Sequence, residues 1–170
     1  HHRLIDEGLR CDANIVVATG TARDPHHFAV LLGYGATAIY PHLAYESIQG
    51  LIERGELSGI EPAEAGANYR RGINKGLLKI LSKMGISTIA SYRGAQLFEI
   101  VGISDPVVTR CFKGSTSRIQ GIGFDELEAN QVALAREAWS PRKGIGQGGL
   151  LKYIHGGEYH AYNPDVVQSL

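Results

Sequence analysis

Two short apolar runs, each followed by a helical pattern, constrain the fold of this chain more than any other feature of its sequence. Residues 15–18 form an apolar run that ends at Gly20, and residues 36–40 form a second run that ends at Pro41. Short continuous apolar runs are typical of strands buried in a parallel sheet. Because parallel strands are joined through crossover helices, the alternation predicts right-handed βαβ units and an α/β fold.

Capping residues mark the helices of these units. Asp24 directly precedes Pro25, and this pair suits the N-cap and the first position of a helix. Gly33 or Gly35 is placed to end this helix, and a second helix is predicted over 43–54. Helical spacing predicts that the first helix carries four residues on one face, namely His27, Val30, Leu31 and Tyr34.

The middle of the chain continues the alternation after a connector. The stretch 56–67 is rich in Gly, Pro and Glu and is predicted to be a linker. A helix over 69–84, a strand over 86–90 and a helix from Ser91 to Gly102 are predicted to follow. The spacing assigns buried positions in the first of these helices to Ile73, Leu77, Ile80, Leu81 and Met84. The second is predicted to carry Leu97, Phe98 and Val101.

The regular alternation is confined to about residues 12–103. We expect these residues to form incomplete (β/α) barrel-like parallel units, followed by a less regular α+β extension. The extension is predicted to contain a helix over 125–138, short strands over 150–154 and 159–162, and a last helix from Pro164.

Composition excludes several classes of function. Seventeen basic residues balance seventeen acidic ones, so we predict no nucleic-acid partner. Apolar runs are too short to span a membrane, which needs roughly 20 residues, and we predict no membrane partner. Cys11 and Cys111 match no metal spacing and are expected to be reduced thiols of a cytoplasmic protein, with a disulfide left open by the sequence.

A loop after the first strand is the strongest candidate for anion binding. Residues 15–48 resemble the last two βα units of flavin-binding (β/α)8 barrels, where such loops and helix N-termini hold phosphate. The loop Thr19–Arg23 has the glycine that such a site needs. The corresponding loop 40–43 has no glycine and contains Pro41. We therefore expect a barrel-like unit without a phosphate site, and keep binding of a phosphorylated ligand at Thr19–Arg23 as the alternative.

Two motifs that could bind a cofactor or a metal ion have simpler structural explanations. Residues 144–149 match GxGxxG, but no strand precedes them and no helix follows, so a loop is predicted rather than a dinucleotide site. Adjacent helical histidines point about 100° apart and do not easily share one metal ion. We expect hydrogen bonding rather than metal binding from the histidine-containing groups His26–His27 and His155, Glu158 and His160.

A row of lysines and a polar loop complete the candidates. Lys75, Lys79 and Lys83 are spaced i, i+4, i+8, which predicts a solvated helix face or, alternatively, a surface that docks an acidic partner. The polar stretch 115–118 is predicted to be a turn because no base accompanies its serines. No catalytic, cofactor-binding or metal-binding residue is predicted in the chain.

Long blocks of the sequence resemble the large subunit of glutamate synthase, in its central region and the lead-in to its FMN-binding domain. The resemblance covers essentially all 170 residues. Within the family, the sequence is predicted to belong to the bacterial NADPH-dependent branch. The blocks that carry it are 24–28, 33–36, 41–46, 68–103, 117–121, 138–143 and 156–164.

The resemblance implies a large enzyme that makes two glutamates from glutamine and 2-oxoglutarate. In that family an N-terminal amidotransferase domain with a cysteine nucleophile releases ammonia, and a tunnel leads the ammonia to an FMN barrel with a 3Fe–4S cluster. A small subunit brings NADPH, FAD and 4Fe–4S clusters. The nucleophile and the cluster cysteines have no counterpart here, since Cys11 and Cys111 stand alone.

The resemblance therefore implies a scaffold without cofactors of its own. Residues 1–103 are expected to be the C-terminal part of the central domain, and residues 104–170 the lead-in to the FMN-binding barrel. The expected partners are the other domains of the same polypeptide and the small subunit. His1–His2 are read as native sequence rather than a tag remnant, because the family has a histidine run at this place.

Overall fold

A computed structural model describes residues 1–141, 148–149 and 152–169. The chain divides into two compact units, His1–Phe124 and Asp125–Leu170. Helices and strands follow in the order α1 His2–Asp6, β1 Val16–Ala18, α2 Pro25–Gly33, β2 Ala38–Tyr40, α3 His42–Glu53, α4 Pro62–Lys83, α5 Ile89–Tyr92, β3 Glu99–Ile103, α6 Asp105–Cys111, β4 Thr116–Ile122, α7 Phe124–Ala138 and α8 Pro164–Ser169.

The first unit contains two small parallel sheets. Strand β1 pairs with β2, with Val16 opposite Ala38 and Ala18 opposite Tyr40. Strand β3 pairs in parallel with β4, and α6 connects these two strands. The predicted α/β class and the parallel pairing of the first two strands are confirmed. The parallel pattern extends to Ile122, beyond the residue 103 that was expected to end it.

Helix α2 begins as predicted from its capping residues. The Asp24 carboxylate accepts the backbone N–H groups of His26 and His27, and Pro25 stands at the start of the helix. The helix ends at Gly33, and Gly35 follows with a φ of +110°. Its buried residues are Phe28, Ala29 and Leu32. The predicted face was therefore wrong by about one position, because the helix turns Phe28 rather than His27 towards the core.

The core of the first unit lies between α2 and α4. One cluster joins Ala29, Leu32, Leu81 and Tyr92, and a second joins Ala22, Phe28 and Ile73. Ile39 of β2 packs against both clusters. Of the predicted α4 positions, Ile73 and Leu81 are buried, Leu77 and Ile80 are half-buried, and Met84 is 46% exposed.

Strands β1 and β2 were expected to be buried and are not. Val16 is 68% exposed and Tyr40 is 56% exposed, whereas Val17 and Ile39 on the alternate positions are half-buried. Since successive side chains of a strand point to opposite faces, the core covers one face of this sheet within the described part of the chain. The prediction took the apolar runs as evidence of burial on both faces.

The connector predicted over 56–67 is shorter than expected. Helix α4 begins at Pro62, with Glu64 in its first turn, and both residues suit a helix N-terminus. Ala65 is buried. The glycines and Pro62 had been read as linker composition, but the alanines between them favour a helix.

The elements predicted between residues 86 and 102 were wrong. Instead of a strand over 86–90, Thr88 caps the short helix α5 by accepting the N–H of Ser91. The helix expected from Ser91 ends at Tyr92, because Gly94 and Gln96 both have positive φ and a helix cannot continue through that conformation. Strand β3 then contains Val101, which the prediction had placed on the helix.

In the last third, the two predicted helices were confirmed, and the other predictions that fall on described residues were wrong. Residues 116–118 belong to strand β4 rather than to a turn. Residues 159–162 form a turn in which Asn163 accepts the His160 N–H, not a strand. Helices α7 and α8 agree with the predicted helices. Of the strand predicted over 150–154, residues 150–151 lie outside the described part and 152–154 are irregular.

None of the helices in the described ranges is both long enough and apolar enough to cross a membrane.

Candidate functional site at the carboxyl ends of β1 and β2

The carboxyl ends of β1 and β2 are where a ligand of this sheet would bind, because open α/β sheets bind ligands beyond the carboxyl ends of their strands. The loop Thr19–Arg23 follows β1, and Pro41 with His42 follows β2. The structure brings these loops together. A Cβ atom on Gly20 would lie 3.5 Å from the His42 ring and 3.5 Å from Leu43.

The N-terminus of α2 is already occupied by a carboxylate of the chain itself. The His26 and His27 backbone N–H groups donate to Asp24 Oδ1 over 2.9 and 3.2 Å. The His27 N–H and the nearby histidines lower the pKa of Asp24, against the opposing effect of desolvation. An ionised Asp24 therefore stands where a phosphate would need to sit, and its charge would repel that ligand.

Three of the five backbone N–H groups of the loop are also engaged, that of Thr19 with the Tyr40 carbonyl over 3.0 Å. The Thr21 N–H donates to Thr19 Oγ1 over 3.1 Å, and the two threonine hydroxyls lie 2.9 Å apart. The Arg23 N–H donates to His27 Nδ1 over 3.2 Å. Ala22 is buried in the core. With the N–H groups of Thr19, Thr21 and Arg23 committed, those of Gly20 and Ala22 are left without a partner among the described residues. Two N–H groups are fewer than the run of converging donors that holds a phosphate.

Three tyrosines, which the sequence analysis did not single out, fasten the loop to α4. The Tyr69 hydroxyl donates to the Arg23 carbonyl over 2.9 Å. Its ring meets that of Tyr45 edge-on, with centroids 5.6 Å apart, and Tyr45 stacks on Tyr40 at 6.1 Å. Burial, with smaller contributions from Tyr45 and Asp24, raises the pKa of Tyr69, so its hydroxyl stays a neutral donor. The sequence signal for this cluster was Tyr40 directly before Pro41, with Tyr45 four residues after it.

A groove of about 230 Å³ lies beside β2. We call it the β2 groove. One side is formed by Ala38 and Ile39, and α4 contributes Tyr69, Ile73 and Leu77, with Asn74 also on its lining. The rest of the lining comes from Phe28 and Leu32 of α2 and from Thr37, Pro41, Tyr45 and Arg70. Most of these side chains are apolar, so the groove offers contact surface rather than a set of reacting groups.

A second cavity, of about 160 Å³, lies near the start of the chain and includes Tyr34 and Ser115. The Tyr34 hydroxyl and the Ser115 hydroxyl are 3.0 Å apart. Lys113 Nζ, also on the lining, lies 3.0 Å from Asp6. Arg118, from the stretch once expected to be a turn, pairs across the β3–β4 sheet with Glu99 at 3.2 Å. The polar groups in these three pairs therefore already have partners within the described part of the chain.

The rings of His27, His155 and His160 make hydrogen bonds, as predicted, whereas the His26 ring packs edge-on against Phe98. His27 accepts from Arg23, as described above. In the second unit His160 Nδ1 accepts the Tyr162 N–H over 3.1 Å, and its Nε2 lies 2.8 Å from the Gly149 carbonyl. Both ring nitrogens of His160 are thus engaged. Within the described ranges, no three His, Cys, Asp or Glu side chains are placed to hold a metal ion, and Cys11 and Cys111 are exposed free thiols.

The remaining candidates are either exposed or not described. Lys75, Lys79 and Lys83 are all exposed, and the ion pairs found in the described ranges do not include them. Residues 142–147, which hold most of the GxGxxG motif, lie outside the described part of the chain.

The fold and the candidate site define a mixed α/β domain with open sheet edges, in which the polar groups of the best-formed loop cap one another. Residues 1–104 match the model of the glutamate synthase central domain. The chain belongs to the glutamate synthase central domain family, and it is a segment of a glutamate synthase large chain.

Full-length relatives of known type span the whole of this sequence. The ferredoxin-dependent glutamate synthase of Pyropia yezoensis is 44% identical over 181 residues, which is all of this chain and 12% of that protein. The glutamate synthase [NADPH] large chain of Bacillus subtilis is 44% identical over 172 residues, or 11% of its length. The glutamate synthase [NADH] of Schizosaccharomyces pombe is 39% identical, over 8% of its length. The chain therefore spans about a tenth of the length of these relatives.

Proposed function

We propose that this chain is a non-catalytic scaffold segment of glutamate synthase, between the amidotransferase and FMN sites and beside the ammonia tunnel. The observation that carries the proposal is the self-capped loop at the carboxyl ends of β1 and β2. Asp24 takes the place of an anionic ligand there, and the loop N–H groups of Thr21 and Arg23 are used internally. A segment whose best candidate site is filled by its own side chains is suited to a structural role, in which it keeps two active sites at a fixed separation.

The barrel-like organisation of residues 12–103 is part of the proposal. Its support is that α2 and α4 pack on the Ile39 side of the β1–β2 sheet, while Val16 and Tyr40 on the other side stay exposed. Helices on one face only are a feature of singly wound βα units, as in (β/α)8 barrels. We further propose that residues 1–103 close the central domain and residues 104–170 lead into the FMN barrel, in keeping with a family match that ends at residue 104.

The chemistry of the parent enzyme follows from the resemblance. We propose that it uses glutamine and 2-oxoglutarate to make glutamate, with FMN and a 3Fe–4S cluster in its large chain. NADPH as the donor, through a cytoplasmic small subunit with FAD and 4Fe–4S clusters, stays a prediction. Identity is 44% both to a ferredoxin-dependent relative and to an NADPH-dependent one, so similarity alone favours neither donor.

Docking through the lysine row is the second candidate function. Lys75, Lys79 and Lys83 are exposed on α4, and Leu78 between them is 65% exposed. Like charges that form no ion pair with the described residues, beside an exposed leucine, suit the contact surface of an acidic partner, in this case another domain of the same polypeptide. Binding of a phosphorylated ligand at Thr19–Arg23 is disfavoured by the position of the Asp24 carboxylate.

The test is made in the full-length enzyme with Arg23→Ala and His42→Ala, which remove polar side chains from the candidate site. The proposal predicts unchanged FMN content and glutamate formation, with Arg54→Ala on the exposed end of α3 as the matched control. A fall of about 100-fold or more in a folded variant, the scale on which loss of a catalytic group is felt, would show that the site takes part in chemistry.

A further inference from the structure

We propose that the β2 groove receives an extended segment of the same polypeptide from outside these 170 residues, and that this segment adds a strand to the β1–β2 sheet. The inference rests on the proposed function, because it assigns the groove to the parent large chain. It deepens that function by naming the surface through which the segment is joined to its enzyme.

The geometry places an open strand edge beside an apolar wall. Strand β2 pairs with β1, and no second strand lies against it in the ranges that the structure describes. Ala38 and Ile39 of that strand and Ile73 and Leu77 of α4 line the same groove. An added strand there would bond to the edge through its main chain and place alternate side chains against α4, which is the usual geometry of strand addition.

The size and chemistry of the groove favour a peptide over a small molecule. Its volume of about 230 Å³ is below the roughly 300–1,000 Å³ of typical ligand pockets. Two of its polar groups are committed: the Tyr69 hydroxyl donates to the Arg23 carbonyl, and the Thr37 hydroxyl accepts the Ile15 N–H. Arg70 and Asn74 lie at exposed positions on α4, and Tyr45 belongs to the tyrosine cluster. Specific recognition of a small ligand would need several polar groups directed at it.

The parent polypeptide is the occupant that the observations favour. A sheet of two strands is marginal by itself, and β2 has a neighbouring strand on one side only in the ranges that the structure describes. The relatives are about ten times longer than this chain, so most of the polypeptide is available to complete the sheet. Such an open edge left uncovered would also invite aggregation.

The experiment is site-specific photo-cross-linking in the full-length large chain. A benzophenone amino acid is placed at position 74, on the groove, and in a matched variant at position 75. Both positions are exposed on α4, but only Asn74 lines the groove. After irradiation and digestion, mass spectrometry identifies the peptide joined to each position.

The proposal predicts that position 74 cross-links within one polypeptide to a peptide from outside residues 1–170, and that this product is absent with position 75. It is overturned if position 74 gives no product above an unirradiated sample, gives the same peptide as position 75, or gives only products within residues 1–170. A product between two large chains, detected by mixing isotope-labelled and unlabelled protein, or a product with another protein also overturns it. Each of these results leaves the Arg23→Ala and His42→Ala measurements intact, so the two proposals fail separately.

Discussion

Pro25 at the start of α2 packs directly against Gly76 in the middle of α4, and the proline ring occupies the space that a side chain at position 76 would need. This contact sets how closely the two main helices of the first unit approach. It also explains a glycine in a helix interior, where glycine otherwise costs stability. The two helices hold most of the core between them, so their separation governs the stability of the unit.

Gly76→Ala is expected to lower the free energy of unfolding by about 1–3 kcal/mol, the usual cost of overpacking, because the added methyl group meets the Pro25 ring. Gly72→Ala is the matched control in the same helix. A Cβ atom at Gly72 meets no described atom within 4 Å, so this change is expected to stabilise by up to about 1 kcal/mol through helix propensity. Urea unfolding of both variants measures the difference, and equal effects would contradict the contact.

Asp24→Ala is expected to cost about 1 kcal/mol, because the first turn of α2 loses its N-cap. Asp24→Asn should keep most of the cap, since the amide oxygen still accepts hydrogen bonds. The folded-state pKa of Asp24 is lowered, so its charge stabilises the fold above the unfolded pKa of about 4 and this contribution is lost as the pH falls through the folded pKa. Urea unfolding at neutral and acid pH should therefore show a smaller pH dependence for Asp24→Asn than for the native sequence.

Tyr69→Phe is expected to destabilise by about 0.5–1.5 kcal/mol, because it removes the hydrogen bond to the Arg23 carbonyl while keeping the ring. Tyr45→Phe is the control, since the Tyr45 ring packs in the same cluster and no hydrogen bond of its hydroxyl occurs among the described residues. Thermal unfolding of the two variants separates the hydroxyl from the ring. A loss as large in Tyr45→Phe would contradict the role given to Tyr69.

Tyr92→Phe is expected to raise the free energy of unfolding or leave it unchanged, in contrast to Tyr69→Phe. The Tyr92 hydroxyl is buried and makes no hydrogen bond within the described part of the chain, and burial raises its pKa. Removing an unsatisfied buried hydroxyl relieves a desolvation cost of about 1–3 kcal/mol, so the variant should be at least as stable as the native chain. Urea unfolding that shows clear destabilisation would mean that the hydroxyl has a partner.

Local signals in the sequence predicted those parts of the fold that local chemistry decides. Asp24 and Pro25 start α2, and Gly33 ends it, because caps act within one turn. The apolar runs gave β1 and β2. Residues 86–102 were misjudged because Thr88 caps a helix and Gly94 and Gln96 break one, so turn chemistry overrode the apolar spacing.

The sequence predicted where the candidate site lies but not how its polar groups are paired. The loop Thr19–Arg23 was found from its glycine, yet whether its N–H groups are free depends on where Asp24 and His27 point. The contact of Tyr69 with Arg23 joins positions 46 residues apart, and a single sequence has no signal for that distance. The exposure of Val16 could not be predicted either. An apolar run has the same pattern whether the elements that pack on it lie within these 170 residues or elsewhere in the polypeptide.

The most direct test of the proposed scaffold role is the coupling between the two reactions proposed for the parent enzyme when the α2–α4 packing is disturbed. In full-length glutamate synthase carrying Gly76→Val, glutamine hydrolysis and glutamate formation from added ammonia are measured separately from glutamate formation with glutamine. The account predicts that the first two persist and the third falls, while Gly72→Val leaves all three unchanged. Loss of ammonia-dependent glutamate formation with the FMN still bound would contradict the account, because it would place this segment in the chemistry rather than between the two sites.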